Sequence, residues 1–218
     1  MEYKVISVNL IGSNLYNLAG KNSDLDYLVI YHRKPQDYIT INGYEDFMPD
    51  EKLEGKVPIN YRYWDILKFL RLASRSAWGA FEALYCLNAY HDKPVYQYLL
   101  SQVKRENFSQ RELLYHAKGV INSNHHRGYM KAYHYLFMQY VLQKDAYPET
   151  LDAWNLLDSV NLDTSTTQHI TELFVKKQQG YKDLPFVFDR VDDSLFKDFP
   201  KLDNVDYTDA LHKCIFDF

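Results

Sequence analysis

Two aspartates two positions apart, Asp24 and Asp26, follow a Gly12-Ser13 pair at short distance. In a β-strand, residues i and i+2 point to the same side, so the two carboxylates are expected to face one way. Like charges on one face repel unless a cation lies between them. Hard oxygen ligands of this kind suit a Mg²⁺ or Mn²⁺ ion that also bridges substrate phosphates. Upstream, Gly12 lets the backbone approach a ligand closely, and the free amides of a helix start attract anionic phosphate oxygens. The Ser13 hydroxyl adds a donor. A phosphate-cradling turn and a carboxylate pair are the equipment of metal-dependent phosphoryl transfer. The plainer alternative makes residues 22–24 a polar turn and Asp26 an exposed edge residue.

Four elements must position these groups. Residues 5–11 are apolar enough for a strand buried on both faces, and Gly12-Ser13 ends it. Residues 14–18 read as a short helical stretch, and from Leu25 the chain reads as a second strand that carries the acidic pair. The order of strand, Gly-Ser, short helix and Asp-x-Asp on a strand is more specific than either motif alone.

At these residues the chain resembles the predicted nucleotidyltransferases of the DNA polymerase beta superfamily, in particular the RNA-ligase-associated branch. The likeness rests on Ile11-Gly12-Ser13, Leu15-Tyr16, Leu18-Ala19 and Asn22-Ser23-Asp24-Leu25-Asp26-Tyr27. It continues through Trp64-Asp65-Ile66-Leu67-Lys68-Phe69-Leu70-Arg71-Leu72 and Phe81-Glu82-Ala83-Leu84 to Lys131-Ala132-Tyr133-His134, roughly the first two thirds of the chain. The resemblance implies that the Gly-Ser turn attends to a nucleoside triphosphate. It also implies that the aspartates hold metal ions which align an attacking hydroxyl with the α-phosphate, pyrophosphate leaving. The expected partners are an NTP and, as acceptor, RNA or tRNA, a protein side chain or a small molecule.

In one respect the sequence departs from that pattern. The superfamily usually supplies a third carboxylate from a neighbouring strand, and in this branch it falls a few residues before the segment matching Trp64-Asp65. The residue there is Asn60. An amide can ligate through its oxygen but carries no charge and cannot act as a general base. The expected metal set is therefore Asp24, Asp26 and Asn60, with Asp46, Asp50 and Glu82 as carboxylates that only folding could bring in. An active nucleotidyltransferase and a non-catalytic module binding nucleotide, RNA or a protein partner remain in competition, and Asn60 is the feature that favours the second.

Basic side chains near the motif are candidates for phosphate. Lys21 sits near the Gly-Ser turn in sequence, with a flexible loop lysine as its plain alternative, Arg62 lies on the strand expected at 57–63, and Lys68, Arg71 and Arg75 recur at helical spacing after it. For the last three the plain alternative is the solvated face of an amphipathic helix. His91-Asp92 has the look of a metal phosphohydrolase pair, but that chemistry needs an upstream helical histidine, and the only one upstream is His32, on a strand. His125-His126 reads as exposed. His134 and Lys131 fit either a cleft wall or core packing. Tyr16 and Tyr27 flank the motif and are placed to stack on a base, while most of the 20 tyrosines suit amphipathic packing.

The rest of the sequence bounds these readings. A net charge of −4 and a pI near 6.0 argue against broad electrostatic adhesion to nucleic acid or anionic membrane. No signal-like segment and no apolar run of spanning length is visible, so the expectation is a cytoplasmic protein without a membrane partner. Cys86 and Cys214 form no Cys-x-x-Cys pair and read as packed thiols. Strand-like runs at 3–11, 26–31, 38–41 and 57–63, a turn at Asn42-Gly43 and an acidic loop over 44–56 precede a long helical region starting at Trp64. The expected fold class is α+β: a small mixed β-sheet nucleotidyltransferase core over 1–90, followed by a mainly helical region over 91–218. Within the latter, Ser109 with Glu112 predicts a capping box, and Ser165 with Gln168 a second.

Overall fold

The structure, a computed structural model, describes residues 3–38, 49–86, 90–91, 93–124, 127–181, 185 and 191–217. The Asn42-Gly43 turn, Asp46, Asp92 and the His125-His126 pair lie outside the described residues, as does all but Tyr38 of the strand expected at 38–41. The chain divides into two compact units, both discontinuous in sequence: Met1–Ile11, Asp24–Phe108 and Leu202–Phe218 in one, Gly12–Ser23 and Ser109–Lys201 in the other.

The first unit holds a five-stranded mixed sheet. Its strands are β1 (Tyr3–Ile11), β2 (Leu25–Arg33), β3 (Glu51–Leu53), β4 (Ile59–Asp65) and β5 (Tyr90–His91), in the order β3-β4-β2-β1-β5. β1 and β2 are antiparallel, β2 and β4 parallel, and β3 runs antiparallel to β4 along the edge. β3 lies inside the segment expected to be a polar loop. An exposed Glu-Lys-Leu strand carries no buried alternation for sequence periodicity to detect. Tyr38 closes a four-residue helix, α1 (Pro35–Tyr38), rather than opening a strand.

Trp64 was expected to begin the first long helix, yet it lies within β4, whose last residue is Asp65, and the helix α2 (Ile66–Ser74) starts directly after it. The reason is a cap. The Asp65 carboxylate accepts the Leu67 amide at 2.8 Å and satisfies an otherwise orphaned helix donor. The face that α2 buries is Ile66, Phe69, Leu70 and Ala73, spaced for a 3.6-residue turn. Asp65 is fully buried and also ties down the end of β2. The Tyr38 hydroxyl donates to it at 2.9 Å, the Arg33 backbone amide donates to that hydroxyl at 3.0 Å, and Arg33 Nε lies 3.6 Å away. Burial, more than any neighbouring charge, pushes the Tyr38 phenol far above its ordinary range, so it stays a donor.

After α2 the chain turns at Ser76, which takes a positive φ of 55°, and α3 (Trp78–Ala83) follows. Gly79 is required by packing: a Cβ there would sit 2.8 Å from the Trp64 ring. The helices α4 (Lys93–Gln102) and α9 (Thr208–Phe216) complete this unit.

In the second unit, α5 (Gln110–Asn122) opens as the sequence predicts, with the Ser109 hydroxyl accepting the Glu112 amide. It packs on a separate helix, α6 (Gly128–Lys144); Leu113, Ala117 and Val120 of α5 and Tyr133 and Phe137 of α6 are buried. The helices α7 (Ala153–Ser159) and α8 (Thr164–Gln178) follow. The cap of α8 is Asp163, two residues before the Ser165 predicted; its carboxylate accepts the Thr166 amide at 2.9 Å. Gly180 ends α8 at φ 97°. The Tyr181 amide donates to the Lys176 carbonyl and the Gly180 amide to the Lys177 carbonyl, a Schellman closure.

Candidate functional site

β2 is buried along its second half and only half-buried over Leu25, Asp26 and Tyr27, so the sheet opens at the end where the acidic pair sits. Strand register builds a row across that end. Ile11 of β1 stands opposite Asp26, Asp26 opposite Asn60, and Asn60 opposite Lys52 of β3. Directly opposed residues share a face, and the Asn60 amide Nδ2 donates to Asp26 Oδ1 at 2.9 Å.

This row belongs to the lining of a cavity of about 280 Å³, which Tyr27, Asp50, Glu51, Tyr61 and Arg62 complete. Tyr27 and Tyr61 stack at 5.4 Å with their planes 18° apart. The Lys52 ammonium lies 2.9 Å from Glu54. Glu54, through that hydrogen bond and its charge, and Asp24 to a lesser degree, hold the ammonium above its ordinary range. Tyr63 donates its hydroxyl to Glu51 at 3.1 Å, and burial, with this bond second, pushes the phenol up to about 12.

Of the candidate site residues singled out in the sequence, the cavity brings together Asp26, Tyr27, Asp50, Asn60 and Arg62. Asp24 immediately precedes the first residue of β2, is exposed, and is not among the described lining residues. Lys68 sits on α2 with its ammonium 5.9 Å from the Trp64 ring centre. Glu82, weighed as a substitute carboxylate, is buried in α3, whereas Asp50 reaches the cavity wall. Glu51 and Lys52 were missed because β3 has no apolar signature.

Gly12, Ser13 and Lys21 belong to the other unit. Gly12 takes a positive φ of 66°, which only glycine adopts without strain. The stretch after it is not the short helix expected. The Tyr16 amide donates to the Gly12 carbonyl, the Leu18 amide to the Ser13 carbonyl, and Asn17 turns left-handed at φ 56°, so no helix dipole stands behind Ser13. The turn is held by its own unit. Tyr16 is buried and stacks on Tyr133 at 3.9 Å, its carbonyl accepts the Ala153 amide, and Asn17 donates its side-chain amide to Asp152.

Lys21 is exposed. A different lysine touches the motif: Lys177 of α8 donates to Ser23 Oγ at 3.0 Å, and the Gly20 amide donates to the same oxygen at 2.8 Å. No local signal links residues so far apart in sequence. His134 is buried with Nδ1 2.9 Å from the Met130 carbonyl and its ring 5.4 Å from that of His116, an arrangement of helix packing.

Among the described residues no three His, Cys, Asp or Glu side chains come together to hold a metal ion. A cation at this place needs a donor of another kind. The donor set expected from the sequence, Asp24, Asp26 and the Asn60 amide oxygen, is hard and partly anionic and would suit Mg²⁺ or Mn²⁺. The 2.9 Å between the Asn60 side-chain amide and Asp26 Oδ1 also fits. Adjacent ligand oxygens of an octahedral Mg²⁺ lie about 2.9 Å apart, and an amide turned end for end puts its oxygen where its nitrogen was.

Among the described residues no helix is long and apolar enough to cross a membrane. No curated protein and no solved structure matches the chain. A family model does: that of the RNA repair pathway DNA polymerase beta family covers residues 1–195. With a sheet that sets Asp26 against Asn60 behind the strand, turn and Asp-x-Asp order, and with that match over most of its length, the chain belongs to the RNA repair pathway DNA polymerase beta family.

Proposed function

We propose that this protein is a nucleotidyltransferase that moves a nucleoside monophosphate from an NTP to a hydroxyl, with RNA as the acceptor class. Family membership supports a nucleotidyltransferase-like role in RNA repair. The observation that carries the finer reading is the Asp26–Asn60 pair at 2.9 Å at the open end of two parallel strands, facing a cavity that Arg62 also lines.

Asp24, Asp26 and the Asn60 amide oxygen are the residues that would hold Mg²⁺ or Mn²⁺. When bound, the ion supplies charge neutralisation at the phosphates and a more acidic attacking hydroxyl. Arg62 presents a fork of donors suited to phosphate oxygens. Gly12, Ser13 and Lys21 are assigned to the triphosphate by their place in the sequence pattern, directly after β1 and ahead of Asp24. Tyr27 and Tyr61 offer an aromatic wall for a base. The second reading, a module that binds nucleotide, RNA or a protein partner without turnover, is favoured by one observation: Asn60 offers Asp26 a neutral amide where a third carboxylate would stand.

Titration of the four labelled NTPs with Mg²⁺ or Mn²⁺ tests the assignment, with an Asp24→Ala/Asp26→Ala control checked for folding. The expected result is metal-dependent binding that the double change abolishes, and transfer of α-phosphate label to an RNA hydroxyl. Equal binding by both proteins sinks the metal assignment. Binding without transfer to any hydroxyl selects the second reading.

A further inference from the structure

We propose that Lys52 is the side chain that receives the outer phosphates of the nucleotide, and that Glu54 competes with the nucleotide for it. This rests on reading the Asp26 cavity as a nucleotide site. Lys52 was not marked by any motif. It enters through the register of an edge strand, opposite Asn60 and two strands from Asp26, which places its backbone about 10 Å from that of Asp26 on the same face. That distance suits a chain of phosphates whose inner end is at Asp26 and whose outer end meets a four-carbon ammonium stem.

The ammonium is held where it is by a weak partner. Lys52 and Glu54 are 2.9 Å apart with side chains 59% and 75% exposed. Exposed pairs of this kind contribute little to stability and are screened by salt, so exchange of the Glu54 carboxylate for a polyanionic phosphate is easy. The cavity also needs the cation. Asp26, Asp50 and Glu51 line it against only Arg62 and Lys52 among the described residues, and an incoming triphosphate adds further negative charge. Arg62 is set on the same face one row deeper, opposite Leu28, so the two cations are spaced along the cavity wall rather than stacked at one point. The plain alternative is an edge-strand lysine whose only work is to deter strand pairing by another chain.

The test is equilibrium binding of the four NTPs, their monophosphates and inorganic triphosphate, with Mn²⁺, to wild type, Lys52→Met, Lys52→Arg, Glu54→Gln and the Lys52→Met/Glu54→Gln double variant. Both residues are exposed on an edge, and circular dichroism checks that each variant folds. Lys52→Met is expected to weaken the bound NTP and inorganic triphosphate about tenfold, the size of one charge-assisted hydrogen bond. It should leave the monophosphate unchanged. Lys52→Arg should retain binding, Glu54→Gln should tighten it about threefold by removing the competing acid, and the double variant should match Lys52→Met. If wild type binds NTP, the Asp24→Ala/Asp26→Ala control loses it, and Lys52→Met and Glu54→Gln match wild type, the Lys52 proposal falls while the nucleotide site stands. If wild type binds no nucleotide or triphosphate, both fall.

Discussion

Asn60 donates its side-chain amide to Asp26 Oδ1 at 2.9 Å across a parallel strand pair in which the two residues are directly opposed. The amide thus does for Asp26 in part what a cation would do, and it does so with no charge of its own. Whatever chemistry occurs at this end of the sheet starts from an Asp26 carboxylate held by a neutral hydrogen-bond donor rather than faced by a third carboxylate.

Replacing Asn60 by Asp exchanges that hydrogen bond for a carboxylate facing a carboxylate. The pair is half-buried and open to solvent, so the loss is expected to be that of an ordinary hydrogen bond, about 1 kcal/mol, below the range for bonds to charged groups. For a chain of this length that lowers Tm by about 2–4 °C. Mn²⁺ or Mg²⁺ should restore the Asn60→Asp variant by more than it shifts wild type, read by thermal melts with and without EDTA. A variant equally stable in both conditions would mean that the introduced carboxylate and that of Asp26 do not share a cation.

Asp65 makes a stability prediction that separates charge from cap. Asp65→Asn keeps an oxygen for the Leu67 amide but removes the charge that faces the buried Arg33 guanidinium, at a cost of about 3 kcal/mol. Asp65→Ala removes the cap as well and should cost about 1 kcal/mol more. Urea unfolding of both variants checks the order; equal losses would assign the whole effect to the charge.

Gly20 is fixed by a close approach rather than by its own dihedral angles. A Cβ there would sit 2.6 Å from the Gln178 carbonyl oxygen and 3.0 Å from that of Lys177, both backbone atoms that cannot swing away. Gly20→Ala is therefore expected to destabilise by about 1–3 kcal/mol. Loosening of the Ser23–Lys177 contact should appear as faster amide exchange at residues 20–23. A wild-type urea midpoint would show that α8 can shift at no cost.

Acid should weaken α8 through its cap. Hydrogen bonds from the Thr166 hydroxyl and amide hold the Asp163 carboxyl below its ordinary value of 3.8. A group depressed in the folded state contributes stability that is fully present above its unfolded pKa and is lost as pH falls through the folded one. The loss therefore lies below pH 3.8, and Asp163→Asn should remove this part of the acid dependence while leaving neutral-pH stability close to wild type. The urea midpoint followed from about pH 6 to pH 2.5 reads it. Parallel curves for the two proteins would exclude Asp163 as a contributor.

What the sequence alone determined is local. Strand period, a glycine that ends a strand, a Ser-x-x-Glu cap and an Asp-x-Asp spacing are each decided within a few residues, and so β1, β2, the turn at Gly12, α5 and the α+β class were legible. The positions where the reading slipped were also local, but there two local rules competed: Asp65 capped a helix that periodicity had begun at Trp64, and Tyr16 buried its ring on Tyr133 instead of continuing a helix. Tertiary structure decided which groups meet. The register of β2 against β4 set Asn60 beside Asp26, an edge strand without apolar pattern brought Asp50 and Lys52 to the same cavity, and α8 delivered Lys177 to Ser23. These pairings depend on burying faces of elements far apart in the chain, and no short window of residues encodes that.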